Sequence, residues 1–127
     1  MVSKETRDAR KKQTAEFFTP PILVNKMLDK FNPDSWQEEK TFCDPSAGNG
    51  NFLVEVYRRK VEVYKHSPIK ALTTIYGVEL MPDNVQEMKD RLLEMAISYG
   101  VNKNIAMMIL NKNIVCHDAL TYDFTFS

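Results

Sequence analysis

Three short β-type runs in this chain each end on an acid. Thr41-Phe42-Cys43 precedes Asp44, Thr73-Thr74-Ile75-Tyr76-Gly77-Val78 precedes Glu79, and Asn113-Ile114-Val115-Cys116-His117 precedes Asp118. Helix-patterned segments separate the three runs, so neighbouring strands cannot be joined by tight hairpins. Repeated strand, helix, strand alternation predicts βαβ units: an α/β fold with a parallel sheet and right-handed crossovers. Ligands of open parallel sheets collect beyond the carboxyl ends of the strands, which is where all three acids fall.

The helical segments carry their own signals. After Thr19-Pro20-Pro21, the apolar positions Ile22, Leu23, Met27, Leu28 and Phe31 recur at helical spacing, with Thr19 as a cap and the prolines in the first turn. Asn32-Pro33-Asp34-Ser35 is turn chemistry. Phe52, Leu53, Val56, Tyr57 and Val63 form a helix face that ends before Ser67-Pro68. Pro82-Asp83-Asn84 opens a helix with Val85, Met88, Leu92, Met95 and Ala96 on one face, and Gly100 terminates it. Ile105 to Leu110 fits a helix or a strand by pattern, and a short helix is the expectation.

Composition bounds the function classes. The 127 residues suffice for one domain, and neither the 43% hydrophobic nor the 27% charged content departs from globular values. No apolar run approaches the roughly 18 residues of a membrane span, and no charged-then-apolar leader opens the sequence. Two cysteines, Cys43 and Cys116, make no disulfide framework, so a reducing cytoplasm is the expected compartment. Net charge is zero, which places no electrostatic demand for nucleic acid on the chain as a whole. Arg7, Arg10, Lys11 and Lys12 mark residues 1–16 as a basic arm ahead of a domain spanning 17–127. Such an arm reads as a solvated terminus, with phosphate contact as the other reading.

Between the first strand and its helix lies Asp44-Pro45-Ser46-Ala47-Gly48-Asn49-Gly50-Asn51-Phe52-Leu53. Gly48 and Gly50 let backbone N–H groups approach a ligand, and Asp44 supplies a fixed carboxylate. Glu79, after the second strand, is placed to accept both hydroxyls of a ribose, with apolar Leu80 beside it to cover an adenine face. Asp118 can accept an adenine amino group. No lysine of the phosphate-loop type follows the glycine turn, which disfavours a general nucleotide-binding module.

In chain order, Phe17-Phe18-Thr19-Pro20-Pro21, the glycine turn through Leu53, Tyr76-Gly77-Val78-Glu79-Leu80 and Asn113 through Asp118-Ala119-Leu120 resemble the cofactor-binding motifs of adenine-N6 DNA methyltransferases. The likeness is to those of restriction-modification systems that carry Thr-Pro-Pro near the amino end, and it runs from about Lys12 to Phe124. It implies a Rossmann-like S-adenosylmethionine-dependent methyltransferase fold, truncated after the third strand. It also implies a cofactor set. Thr19 and Pro20 contact the methionine part of S-adenosylmethionine with Phe18 packed beside it. Asp44, Pro45, Ser46, Ala47, Gly48 and Gly50, with Phe52 behind them, form the turn around that moiety, Asp44 near its ammonium. Glu79 holds the ribose, Leu80 lies against adenine, and Asp118 with Ala119 flanks the adenine amino edge.

The family's methyl-transfer motif, Asn or Asp followed by two prolines and an aromatic residue, does not occur in these 127 residues, whose only Pro-Pro is Pro20-Pro21. No catalytic residue is therefore assigned. Transfer is expected to need a further segment or a partner, and the alternative is a non-catalytic S-adenosylmethionine-binding protein that senses or sequesters cofactor or interferes with a restriction-modification system. His66 and His117 read as surface or packing histidines, and a metal site lacks ligands. Met95, Met107 and Met108 read as core filler, and Trp36, Tyr57 and Tyr64 as packed aromatics rather than base-stacking platforms. With only three strands the first is expected to have an exposed edge, covered in a homodimer or by a protein partner. DNA is an expected target of the family, weakly supported by this chain's own charge.

Overall fold

A computed structural model describes residues 18–124; the basic arm and Phe17 lie outside the described residues. The chain folds as α1 (Pro21–Asp29), a 3-10 turn (Pro33–Trp36), β1 (Phe42–Asp44), α2 (Asn51–Arg58) and a π-helical turn (Arg59–Val63). It continues through α3 (Pro68–Thr73), β2 (Ile75–Glu79), α4 (Pro82–Ser98), α5 (Lys103–Asn113) and β3 (Ile114–Cys116). The three strands form one parallel sheet in the order β1-β2-β3, with Asp44 opposite Gly77 and Glu79 opposite Cys116. This is the α/β architecture expected, and it matches a three-strand portion of a Rossmann-like methyltransferase sheet. All three strands run the same way, so Asp44, Glu79 and the residues after Cys116 gather at one edge.

Gly77, central in β2, sets how closely the helices approach. A Cβ there would sit 2.8 Å from Leu53 Cδ1 of α2 and 3.3 Å from Met88 Sδ of α4. The missing side chain lets both helices pack directly onto the strand. Leu53, Val56 and Tyr57 from α2 and Met88, Leu92 and Ala96 from α4 are fully buried, joined by Leu72, Ile75, Leu110 and Ile114. The face read for α4 is thus the buried one, with Asn84 added and Met95 only half-buried. Gly100 follows the helix at φ 90°, a value that suits a residue without Cβ.

Several expectations shift. Helix α1 buries Val24 and Leu28, whereas Ile22, Leu23 and Met27 face outward. Its N-cap is Pro20 with no side-chain cap, so Thr19 does not cap it. Thr73 and Thr74 belong to the end of α3, a helix whose start is marked by Ser67 accepting from the Lys70 N–H; β2 begins at Ile75. Val63 is exposed because the π-helical turn rotates it off the α2 face. Met107 and Met108 are exposed and Met88 fills the core instead. The segment Lys103–Asn113 is helical as expected, and longer than its apolar run. Trp36 and Tyr57 are buried, while Tyr64 stacks on Trp36 at 4.9 Å but stays partly exposed.

Lys60, in the π-helical turn, is wholly buried. Its Nζ donates to Lys40 O at 2.8 Å and Thr74 Oγ1 at 2.7 Å, and lies 4.9 Å from the Phe42 ring centroid. It ties the approaches to β1 and β2 together. No carboxylate pairs with it among the described residues, and burial pulls its pKa from 10.5 down to about 8. The unfolded chain therefore binds more protons than the folded one between those values, and stability rises with pH across that window. Denaturant titrations of the protein at pH 7.5 and pH 10 are expected to show a gain on the order of 1–2 kcal/mol that Lys60→Met lacks. At neutral pH Lys60→Met is expected to be neutral or stabilising, because the methionine fills the volume with no charge to desolvate.

Candidate functional site

The turn after β1 is held by its own and its neighbours' polar groups. Asp44 Oδ1 accepts from Ser46 N at 3.0 Å, and Ala47 N donates to Val78 O at 3.0 Å, fastening the turn to β2. Gly50 N then donates to Ala47 O at 2.9 Å. Gly48 and Gly50 adopt φ of 56° and 92°, the left-handed region that disfavours a Cβ. At Gly50 a Cβ would also meet Met88 Cγ at 2.7 Å, so α4 forms the floor of the turn. Gly48 instead faces Phe18, whose ring would lie 2.9 Å from a Cβ there.

Glu79 is the hub. One carboxylate oxygen, Oε1, accepts from Gly48 N at 3.0 Å; the other accepts from Met81 N at 2.8 Å and Asn84 Nδ2 at 3.2 Å. The side chain is buried, 8% exposed, and its three donors offset the cost of holding a charge there. A carboxylate offers about four acceptor positions, so one remains for a ligand hydroxyl while all three bonds persist. The amides of Ser46, Ala47, Gly48 and Gly50 are likewise committed to protein acceptors. The turn expected to offer open N–H groups spends these four on its own shape.

Asp44 stands close enough to Glu79 for their charges to interact. Burial raises its pKa, the Ser46 N–H bond lowers it, and the Glu79 charge raises it further. Its Oδ2 has no hydrogen-bond partner among the described residues, and Asp44 lines the pocket described next, so one acceptor is left over there. Two acids sharing one partly buried site attract a cation.

Phe18, Thr19, Asp44, Ser46, Ala47, Gly48, Asn49, Asn51 and Phe52 line a pocket of about 20 Å³, room for about one water. The Phe18 ring over Gly48 keeps it that tight. Pro20 and Pro45 are exposed on its flank, and Gly50 sits beneath it. Glu79, Leu80, Asp118 and Ala119 are not in the pocket wall. Leu80 is an exposed apolar side chain beside the Glu79 end of β2, and His117 N donates to Glu79 O at 3.0 Å, so the segment leading to Asp118 adjoins it. Asp118 is exposed and uses Oδ1 to accept from Leu120 N at 2.9 Å, shaping its own turn. Asn49, Asn51 and Arg91 belong to the neighbourhood as well. The two asparagines stand inside the glycine motif, but nothing in the sequence pattern marks Arg91.

His66 and His117 stand outside the pocket lining. Both cysteines are free, and no group of three or more metal-ligating side chains occurs among the described residues. No helix among them is long and apolar enough to cross a membrane.

Comparison with known proteins points to a family. Residues 3–123 match the family described as N-6 DNA Methylase. The Type II methyltransferase M.VspI of Vibrio sp. (strain 343) is 28% identical over 88 residues, which are 69% of this chain and 19% of that protein. The matched stretch thus spans about a fifth of the length of that relative. No solved structure gives a significant match. With the match covering nearly all of its length, the chain belongs to the N-6 DNA methylase family.

Proposed function

We propose that this chain is the S-adenosylmethionine-binding portion of a site-specific DNA adenine-N6 methyltransferase, methyl transfer being completed by a segment or partner that supplies the Asn/Asp-Pro-Pro-aromatic motif. The observation that carries the reading is the convergence of Asp44, with an unpartnered carboxylate oxygen, and Glu79, with one remaining acceptor position, on a turn that two positive-φ glycines keep free of side chains. That donor set fits the cofactor's chemistry: an ammonium for Asp44, a ribose hydroxyl for Glu79, an apolar face for Leu80. Bound there, S-adenosylmethionine would supply a methyl group activated by its sulfonium.

Each residue then has a task in binding. Asp44 holds the cation, its ionised form favoured once a positive partner offsets burial. Phe18 and Thr19 close over the turn from the amino-terminal side, and Phe18 must yield space, since the cleft has about 20 Å³. Asp118 and Ala119 sit beyond Leu80 to meet an adenine edge. The reading is tested by calorimetric titration of S-adenosylmethionine, and by assaying methyl transfer to adenine-containing DNA with and without a segment carrying the missing motif. Binding with no transfer under any reconstitution would support a non-catalytic cofactor binder instead. Glu79→Ala is expected to weaken cofactor binding by roughly 2 kcal/mol, the scale of a charge-assisted hydrogen-bonded group. An unchanged affinity removes Glu79 from the site.

The reading includes a partner on the open side of β1. Phe42 N donates to Thr74 O, so in a parallel ladder the Cys43 N–H and C=O point away from β2. Along that side runs a groove of about 310 Å³ lined by Phe31, Ser35, Lys40, Thr41, Phe42, Cys43 and Phe52. Unpaired strand groups beside aromatic surface invite another chain, a second copy or a protein partner. Light scattering is expected to show concentration-dependent association that Thr41→Lys, a charge at the strand edge, reduces; a monomer at every concentration counts against a dimer.

A further inference from the structure

Arg91 of α4 has no carboxylate partner among the described residues; its hydrogen bonds run to the glycine turn. Its Nη1 donates to Asn49 O at 2.9 Å and to Asn51 Oδ1 at 2.9 Å, and Asn51 Nδ2 in turn donates to Thr19 O at 2.8 Å. A guanidinium only donates and a carbonyl only accepts, so the two contacts fix which way the Asn51 amide faces. The chain of bonds crosses 40 residues from Arg91 to Asn51 and 32 more to Thr19. Asn51 is the first residue of α2 and caps nothing, because Gly50 is the N-cap and no side-chain cap bond is made. Arg91 lies one helical turn beyond Met88, whose side chain underlies Gly50. One face of α4 thus gives the turn both a floor and a clamp.

The Thr19 carbonyl is held to α2 by the Asn51 amide. Thr19 and Pro20 are exposed, and α1 begins without a side-chain cap. We propose that Arg91 is a positioning residue for the cofactor cleft, acting through Asn51 on the Thr19 carbonyl and so on the Phe18-Thr19 strap over Gly48. The role rests on the cofactor reading above for its functional meaning; the coupling itself does not. Arg91 touches no cofactor. It sets where the strap lies when Phe18 shifts to admit one.

The test is calorimetric titration of S-adenosylmethionine into the full chain and into Arg91→Ala, Asn51→Ala, their double variant and Asn51→Asp. Backbone amide exchange over residues 18–24 is measured alongside, without cofactor. Each alanine variant is expected to lose about tenfold in affinity, and the double variant no more than one single, because the two groups act in series. Asn51→Asp separates positioning from general stability. It keeps an acceptor for Arg91, so the melting temperature holds, but it turns the donor toward Thr19 O into an acceptor. Affinity is expected to fall about tenfold and amide exchange over 18–24 to quicken. A merely structural role predicts that affinity follows melting temperature. Wild-type affinity or unchanged exchange in Asn51→Asp overturns the proposal. If the unmodified chain binds no cofactor, the cofactor reading falls, and exchange over 18–24 alone upholds or overturns the coupling.

Discussion

The carboxylate of Glu79 is the interaction on which the carboxyl end of this sheet depends. It stands at the last residue of the middle strand and gathers donors from the glycine turn, the start of the next helix and that helix's first turn. Without it, the Gly48 and Met81 N–H groups and the Asn84 amide would each lose an acceptor inside a closely packed corner, and unmet buried donors are costly. The acid thus sets the shape of the turn before any ligand arrives. A single side chain organises the turn, and any ligand that meets it, as under the proposed cofactor reading, draws on the same set of acceptor positions.

Much of the architecture was legible because strong local signals agreed with the global pattern. Three strands ending in acids, separated by helices, left a parallel sheet as the consistent solution, and α4 announced itself through Pro82, a long buried stripe and Gly100. Helix α3 escaped notice because its six residues are too few to display a period, and Thr73-Thr74 carry a β-type bias that the Ser67 cap and tertiary contacts override. The outward face of α1 misled for a different reason. Its apolar residues cover most of the helix circumference, so periodicity cannot say which side is buried, and Val24 and Leu28 win that place.

In the site, the residues of the glycine motif were readable, since sequence neighbours there are spatial neighbours. What could not be read was how the acids are used. Whether Asp118 points at a ligand or at the Leu120 N–H is decided by local turn geometry, and whether Gly48 offers its N–H outward depends on a carboxylate 31 residues away. Arg91 left no trace at all. An arginine on a helix looks like a solvated charge until the fold brings a backbone carbonyl to it.

The placement of Trp36 has an optical consequence. It is the chain's one tryptophan, buried against Phe42 at 4.9 Å and against Tyr64 at the same separation. Its neighbours Phe31 and Phe42 also line the edge groove. Intrinsic emission from this protein therefore reports on the sheet edge. A spectral change on mixing with another molecule would speak first about that edge, and a ligand in the acidic cleft would reach the indole only through Phe52, which lines both cleft and groove and lies 6.3 Å from Phe31.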